Sequence, residues 1–129
     1  MGKNVQLTKA EEEVMQILWD LGGGLVREIR DRFGDPKPAR NTVSTVLRIL
    51  EKKGFVAHEP LGNVHRYYPL LDKSDYSRSQ LLRLMDSYFN NSFPAMASMF
   101  VNARDLSAKE LEELLEETRK EIDNLKKKS

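Results

Sequence analysis

Residues Pro38 to Leu70 read PARNTVSTVLRILEKKGFVAHEPLGNVHRYYPL, and this stretch decides the fold. Val43, Val46, Leu47 and Leu50 recur at helical spacing and predict an apolar stripe. Arg40, Asn41, Ser44, Thr45 and Arg48 occupy the rest of that helix surface. Small polar and guanidinium side chains of these types hydrogen-bond base edges and phosphates. Lys52 and Lys53 followed by Gly54 predict the helix end. Two short runs with strand character follow, joined at Leu61-Gly62-Asn63. A polar-faced helix that leads straight into a basic hairpin predicts a winged helix on DNA.

The hairpin has an internal pattern. In the second run His65 and Tyr67 fall on one face and Arg66 and Tyr68 on the other. One of the two tyrosines is expected to clamp the wing to the helices. Pro60 requires the first strand to be short or at an edge. Two strands alone are marginal, so the hairpin must lean on helices.

Upstream, Thr8-Lys9-Ala10-Glu11 is a capping box that opens a helix with Val14, Ile17, Leu18 and Leu21 on one face. Trp19 beside that stripe reads as a packing residue. Gly22-Gly23-Gly24 ends this helix, and a second is expected from Leu25 to Phe33. Asp35-Pro36-Lys37-Pro38 is a turn, because two prolines bar a continuous helix. Each of the three helices is short, so they must pack on one another.

Downstream, a helix after Asp72-Lys73-Ser74 carries Leu81, Leu84, Met85, Tyr88 and Phe89. Asn90-Asn91-Ser92 breaks it. Pro94 suits the first turn of the next helix, which carries Phe93, Met96, Ala97 and Phe100. Ser107-Ala108-Lys109-Glu110 is a second capping box. The last helix lines up Leu111, Leu114, Leu115, Ile122 and Leu125, and Lys126-Lys127-Lys128 reads as a solvated, frayed tail. These apolar faces either fold back on the first domain or bury one another across a homodimer. A closed winged helix leaves them uncovered, which favours the dimer.

The expected architecture is mainly α with a small β-hairpin wing. Residues 1–71 form a winged helix-turn-helix domain and residues 72–129 a helical dimerisation extension. The net charge of the whole chain is only +1, but its distribution is uneven. Lys37, Arg40, Arg48, Lys52, Lys53 and Arg66 face only Glu51 and Glu59 in the central stretch, a local net of +4. A basic patch inside a balanced protein fits phosphate contact. The candidate DNA-binding residues are Lys37, Arg40, Asn41, Thr42, Ser44, Thr45, Arg48, Lys52, Lys53, Asn63, His65 and Arg66. Within that set Lys37, Lys52, Lys53 and Arg66 are expected on phosphates, and Asn41, Ser44, Thr45 and Arg48 on base edges. Thr42 is equally readable as a helix cap, and Arg48 as a surface partner of Glu51.

Other classes fare worse. The chain has no cysteine, which excludes disulfides and thiolate metal sites. With two histidines and no thiol, His65 reads as a wing residue rather than a ligand, and no metal or cofactor is expected. There is no Ser-His-Asp set and no Gly-rich phosphate loop, so an enzyme is not expected. No apolar run approaches the roughly 20 residues that span a bilayer, so no membrane insertion and a cytoplasmic location are expected. The Met1-Gly2-Lys3-Asn4 start lacks the Ser or Thr at Gln6 that acylation at Gly2 would want. The alternative function is a winged-helix protein-interaction module without DNA binding.

LTKAEEEVMQILW, LVREI, NTVSTVLRILEKKGFV and HRYYPL, in that order and spacing, resemble the penicillinase-repressor family, which includes methicillin-resistance and copper-responsive repressors. The resemblance runs from about Leu7 to Leu125. Its more specific parts are Thr42-x-x-Thr45, Glu51-Lys52-Lys53-Gly54 and Arg66-x-Tyr68. It implies a homodimeric repressor on a palindromic double-stranded DNA operator. The third helix would enter the major groove, the wing would touch the adjacent backbone or minor groove, and the helical C-terminal region would make the dimer. In antibiotic-responsive members, a membrane sensor protease leads to cleavage of an Asn-Phe bond in the dimerisation region. The matching bond here is Met99-Phe100, which keeps the Phe and lacks the Asn. The cysteine-rich tail of the copper-responsive members is missing, which removes that route of release.

Overall fold

The computed structural model describes residues 6–128. The Met1-Gly2-Lys3-Asn4 start and the outer ends of both expected domains lie outside the described residues. The element order is α1 (Lys9–Leu21), β1 (Gly24–Leu25), α2 (Val26–Asp31), α3 (Arg40–Lys52), β2 (Val56–Leu61), β3 (Val64–Pro69), α4 (Lys73–Phe89), α5 (Phe93–Ala103) and α6 (Ala108–Lys128). The chain divides into two compact units, Met1–Leu81 and Leu82–Ser129. The division falls within α4, beyond the 71/72 boundary expected from the sequence.

The first unit is a winged helix. Thr8 caps α1 as the sequence predicts: Glu11 N–H donates to Thr8 Oγ1 at 3.2 Å, and Thr8 N–H donates to Glu11 Oε1 at 3.0 Å. Gly22 ends the helix with φ 79°, its N–H on the Leu18 carbonyl. That left-handed turn costs least at a residue without Cβ. The core takes Val14, Met15 and Leu18 from α1, Ile29 from α2, Val43, Leu47 and Leu50 from α3, and Phe55, Val56, Tyr67 and Tyr76 beyond. Burying each large apolar side chain contributes about 1.5–3 kcal/mol. Trp19 packs as expected, with Nε1–H donating to the Leu71 carbonyl at 2.8 Å and its ring 5.8 Å from that of Tyr76.

Three expectations need correction here. The second helix is shorter than Leu25 to Phe33, and residues Gly24 and Leu25 instead pair with Tyr67 and Arg66 as a strand. Consequently the sheet has three antiparallel strands in the order β1-β3-β2, not two. The backbone groups at Gly24 and Leu25 have partners far along the chain, which local periodicity cannot report. The hairpin itself runs as predicted, with β2 at an edge and Leu61 paired to Val64 across Gly62-Asn63. Gly62 has φ 65°, the conformation that primed two-residue turns require of their first residue. The third correction concerns the C-terminal lysines, which continue α6 to Lys128 and are exposed but helical.

In the second unit, Asn90 and Asn91 adopt φ 50° and 61° and break the chain before α5. Ser92 then caps α5 by accepting from Ala95 N–H at 3.2 Å. The second capping box forms too, with Ser107 N–H on Glu110 Oε1 at 2.9 Å and Glu110 N–H on Ser107 Oγ at 3.1 Å. These hydrogen bonds hold the Glu110 carboxyl below its ordinary range. Neither α5 nor α6 buries a residue fully. No helix among the described residues is long and apolar enough to cross a membrane.

Candidate nucleic-acid interface

The sequence of α3 separates its faces cleanly. Val43, Leu47 and Leu50 are buried, while Arg40, Asn41, Thr42, Thr45 and Arg48 are exposed and Ser44 is half-buried. The helix is capped by Ala39, with no side-chain cap. Thr42 is therefore not the N-cap; it is the third helical residue, and its hydroxyl lies on the exposed face. No acidic residue occupies the first turn, so the exposed N–H groups there meet no fixed anion of the helix itself.

Local partners decide which cations stay on this face. Arg48 Nη2 lies 3.4 Å from Thr45 Oγ1, one turn back. It does not pair with Glu51, the alternative open in the sequence. Glu51 instead holds His58, whose Nδ1 is 2.9 Å from each carboxylate oxygen. Lys52 is exposed. Lys53 turns toward α1, with Nζ 2.7 Å from Glu11 Oε1. Burial raises the pKa of Glu11, but the Lys53 ammonium and the Thr8 hydrogen bonds outweigh it and leave the carboxyl below its ordinary range. Lys37 caps the end of α2, donating to the Asp31 and Phe33 carbonyls at 2.9 and 2.6 Å.

The wing presents two faces, as its alternation predicts. His58 lies opposite Tyr67 across the strands, and Pro60 opposite His65. The rings of His58 and His65 stack at 4.3 Å with 21° between their planes. Tyr67 lies beneath them, its centroid 5.4 Å from that of His58. Burial, and then the Glu51 charge, raise the pKa of the Tyr67 hydroxyl, while Arg48 opposes them. Arg66 belongs to the other face. Its Nη1 pairs with Glu59 at 3.3 Å, and its guanidinium covers Gly23 so closely that a side chain there would collide with it. The guanidinium could swing aside, so the glycine at position 23 is explained by its backbone, whose φ of 154° few residues with a Cβ adopt.

A cleft of about 300 Å³ opens between the start of α2, the outer face of α3 and the wing. Arg27, Arg40, Ser44, Arg48, Asn63 and His65 supply its polar lining, with no carboxylate among the described residues that line it. The structure thus brings Arg40, Ser44, Arg48, Asn63 and His65 to one concavity. It leaves Asn41, Thr42, Thr45 and Lys52 on exposed surface outside the lining, and it engages Lys37, Lys53 and Arg66 with partners elsewhere. Arg27 is the residue that sequence reasoning missed. The basic stretch was counted from Lys37, and only the turn between α2 and α3 returns Arg27 to it. Among the described residues, no group of three or more His, Cys, Asp or Glu side chains could hold a metal ion.

The chain is similar to several known proteins. The model of the family described as penicillinase repressor matches residues 7–120. The methicillin resistance regulatory protein MecI of Mammaliicoccus sciuri is 30% identical over 117 residues, covering 87% of this chain and 92% of that protein. The penicillinase repressor of Bacillus licheniformis is 30% identical over 115 residues, 88% and 90% of the two chains. A solved chain from a complex of hsRosR-S4 superposes with TM-score 0.53 at 14% identity, over 80% of this chain and 92% of that one, a likeness of fold alone.

Proposed function

This chain belongs to the penicillinase repressor family, and from that premise we propose that it is a transcriptional repressor that binds a palindromic operator as a homodimer. The observation that carries the reading is the outer face of α3. Five exposed polar or guanidinium residues lie opposite a buried stripe and border a cleft lined by arginines and no carboxylate. Such a face can enter a major groove, with Asn41, Ser44, Thr45 and Arg48 at base edges and Arg40 and Lys52 near phosphates.

The helices α4 to α6 supply the dimer. Leu81, Leu84, Tyr88, Phe100, Leu114, Leu115, Ile122 and Leu125 are exposed in the single chain, and Met85, Phe89, Met96 and Leu111 are half-buried. A second copy would cover them and set two recognition helices one turn of DNA, or a multiple, apart. The same region is the place for release by proteolysis. Met99 and Phe100 are exposed but sit within α5, so cleavage between them requires that helix to unwind locally. A membrane sensor protease would act upstream of that step.

Selection of bound duplexes from a random pool, followed by sizing of the complex, tests the reading. Recovery of a palindrome bound by two chains is the expected result. Recovery of no preferred sequence, with no salt-dependent duplex binding, would leave the fold to a protein-interaction role.

A further inference from the structure

Arg27 brings a third guanidinium to the cleft that Arg40 and Arg48 also line. Three neighbouring glutamates have partners of their own. Glu28 accepts from Leu25 N–H at 2.8 Å, Glu51 holds His58, and Glu59 pairs with Arg66. Like charges around one concavity repel one another unless an anion enters. His65 lines the same cleft from the wing, fixed by its stack on His58, which the Glu51 carboxylate anchors to α3.

We propose that this cleft is a seat for one backbone phosphate of duplex DNA, gripped by Arg27 and Arg40 from two helices and closed by His65 from the wing. The proposal rests on the DNA-binding reading above and adds a contact from α2. A guanidinium presents paired donors that match phosphate oxygens. Phosphate contacts fix register without reading sequence, so the seat would set how α3 lies in the groove. His58 is a positioning residue, acting through its stack on His65.

The test measures binding of the full chain to a selected duplex and to one of arbitrary sequence, across salt. Arg27→Ala is expected to reduce the slope of log affinity against log salt by about 0.9 per chain. Affinity should fall by a similar factor on both duplexes, since a phosphate contact carries no sequence preference. His65→Gln is expected to weaken both duplexes by a similar, smaller factor, because the wing no longer closes the seat. Circular dichroism checks that both variants fold. Inorganic phosphate should displace DNA only at concentrations far above those of the duplex. An unchanged salt slope in Arg27→Ala, or a loss confined to one duplex in either variant, would overturn the seat. Saturation by micromolar inorganic phosphate would reassign it to a soluble anion. Failure of wild type to bind any duplex would overturn the DNA-binding reading itself.

Discussion

The two compact units place their apolar residues differently. In Met1–Leu81, nonpolar side chains from α1, α2, α3, the wing and the start of α4 converge on one core, with Met15, Leu18, Ile29, Leu47 and Leu50 fully buried. In Leu82–Ser129, α5 and α6 carry as clear an apolar pattern yet leave Phe93, Met99, Leu115 and Leu125 more than half exposed. A short helix cannot cover its own stripe; only another element can. The first unit holds all of its covering elements within one chain, whereas the second presents its stripes outward. On the proposed function, the first would serve stability and recognition and the second association.

Truncations in the two regions should therefore act on different equilibria. Leu47→Ala, in the closed core, should destabilise the chain by about 2–5 kcal/mol, read as a large drop in thermal unfolding temperature. The same change at Leu115 should leave the unfolding of the isolated chain nearly unaltered. A charge there is more telling. Leu115→Asp with Leu125→Asp should give a folded monomer by sedimentation, with operator affinity reduced about a hundredfold or more, because the second half-site contact is no longer intramolecular. A dimer that persists with unchanged affinity would erase the contrast between the units.

Within the first unit, smaller effects sharpen the difference between anchoring and reading. Lys53→Ala strands the buried Glu11 carboxylate and should destabilise by about 1–3 kcal/mol at neutral pH. The sign of its pH dependence follows from the lowered pKa of Glu11. A carboxyl whose folded pKa lies below its unfolded value adds stability above the unfolded pKa and loses it as pH falls through the folded one. The gap between wild type and Lys53→Ala should thus close on acidification, measured by denaturant titration across pH. Arg48→Ala should cost about 1–3 kcal/mol of discrimination and change operator preference. Lys52→Ala should weaken all duplexes alike, lowering the salt slope by about 0.9 per chain.

Local signals announced most of the elements. Thr8 and Ser107 with their glutamates, Gly22, Gly62 and Asn90-Asn91 each act through neighbours a few residues away, so their effects are readable from order alone. The stripe of α3 was equally legible, because helical periodicity is a local property. What escaped was every arrangement that depends on distant partners. Gly24 and Leu25 become a strand only because β3 arrives beside them. Lys53 reads as a phosphate ligand until Glu11 is found within 2.7 Å. His58 looks incidental until it stacks on His65 and joins the wing to Glu51.

By itself the sequence determined the helices, their caps, the hairpin turn and the polar face that turns away from the core. Chain-local hydrogen bonding and hydrophobic period suffice for those. Tertiary structure alone decided which cations remain at the cleft and which are drawn to Glu11, Glu59 or the end of α2. It also returned Arg27 to the same concavity as Arg48. Charge pairing depends on distance in space, and the fold sets that distance only after the helices have packed.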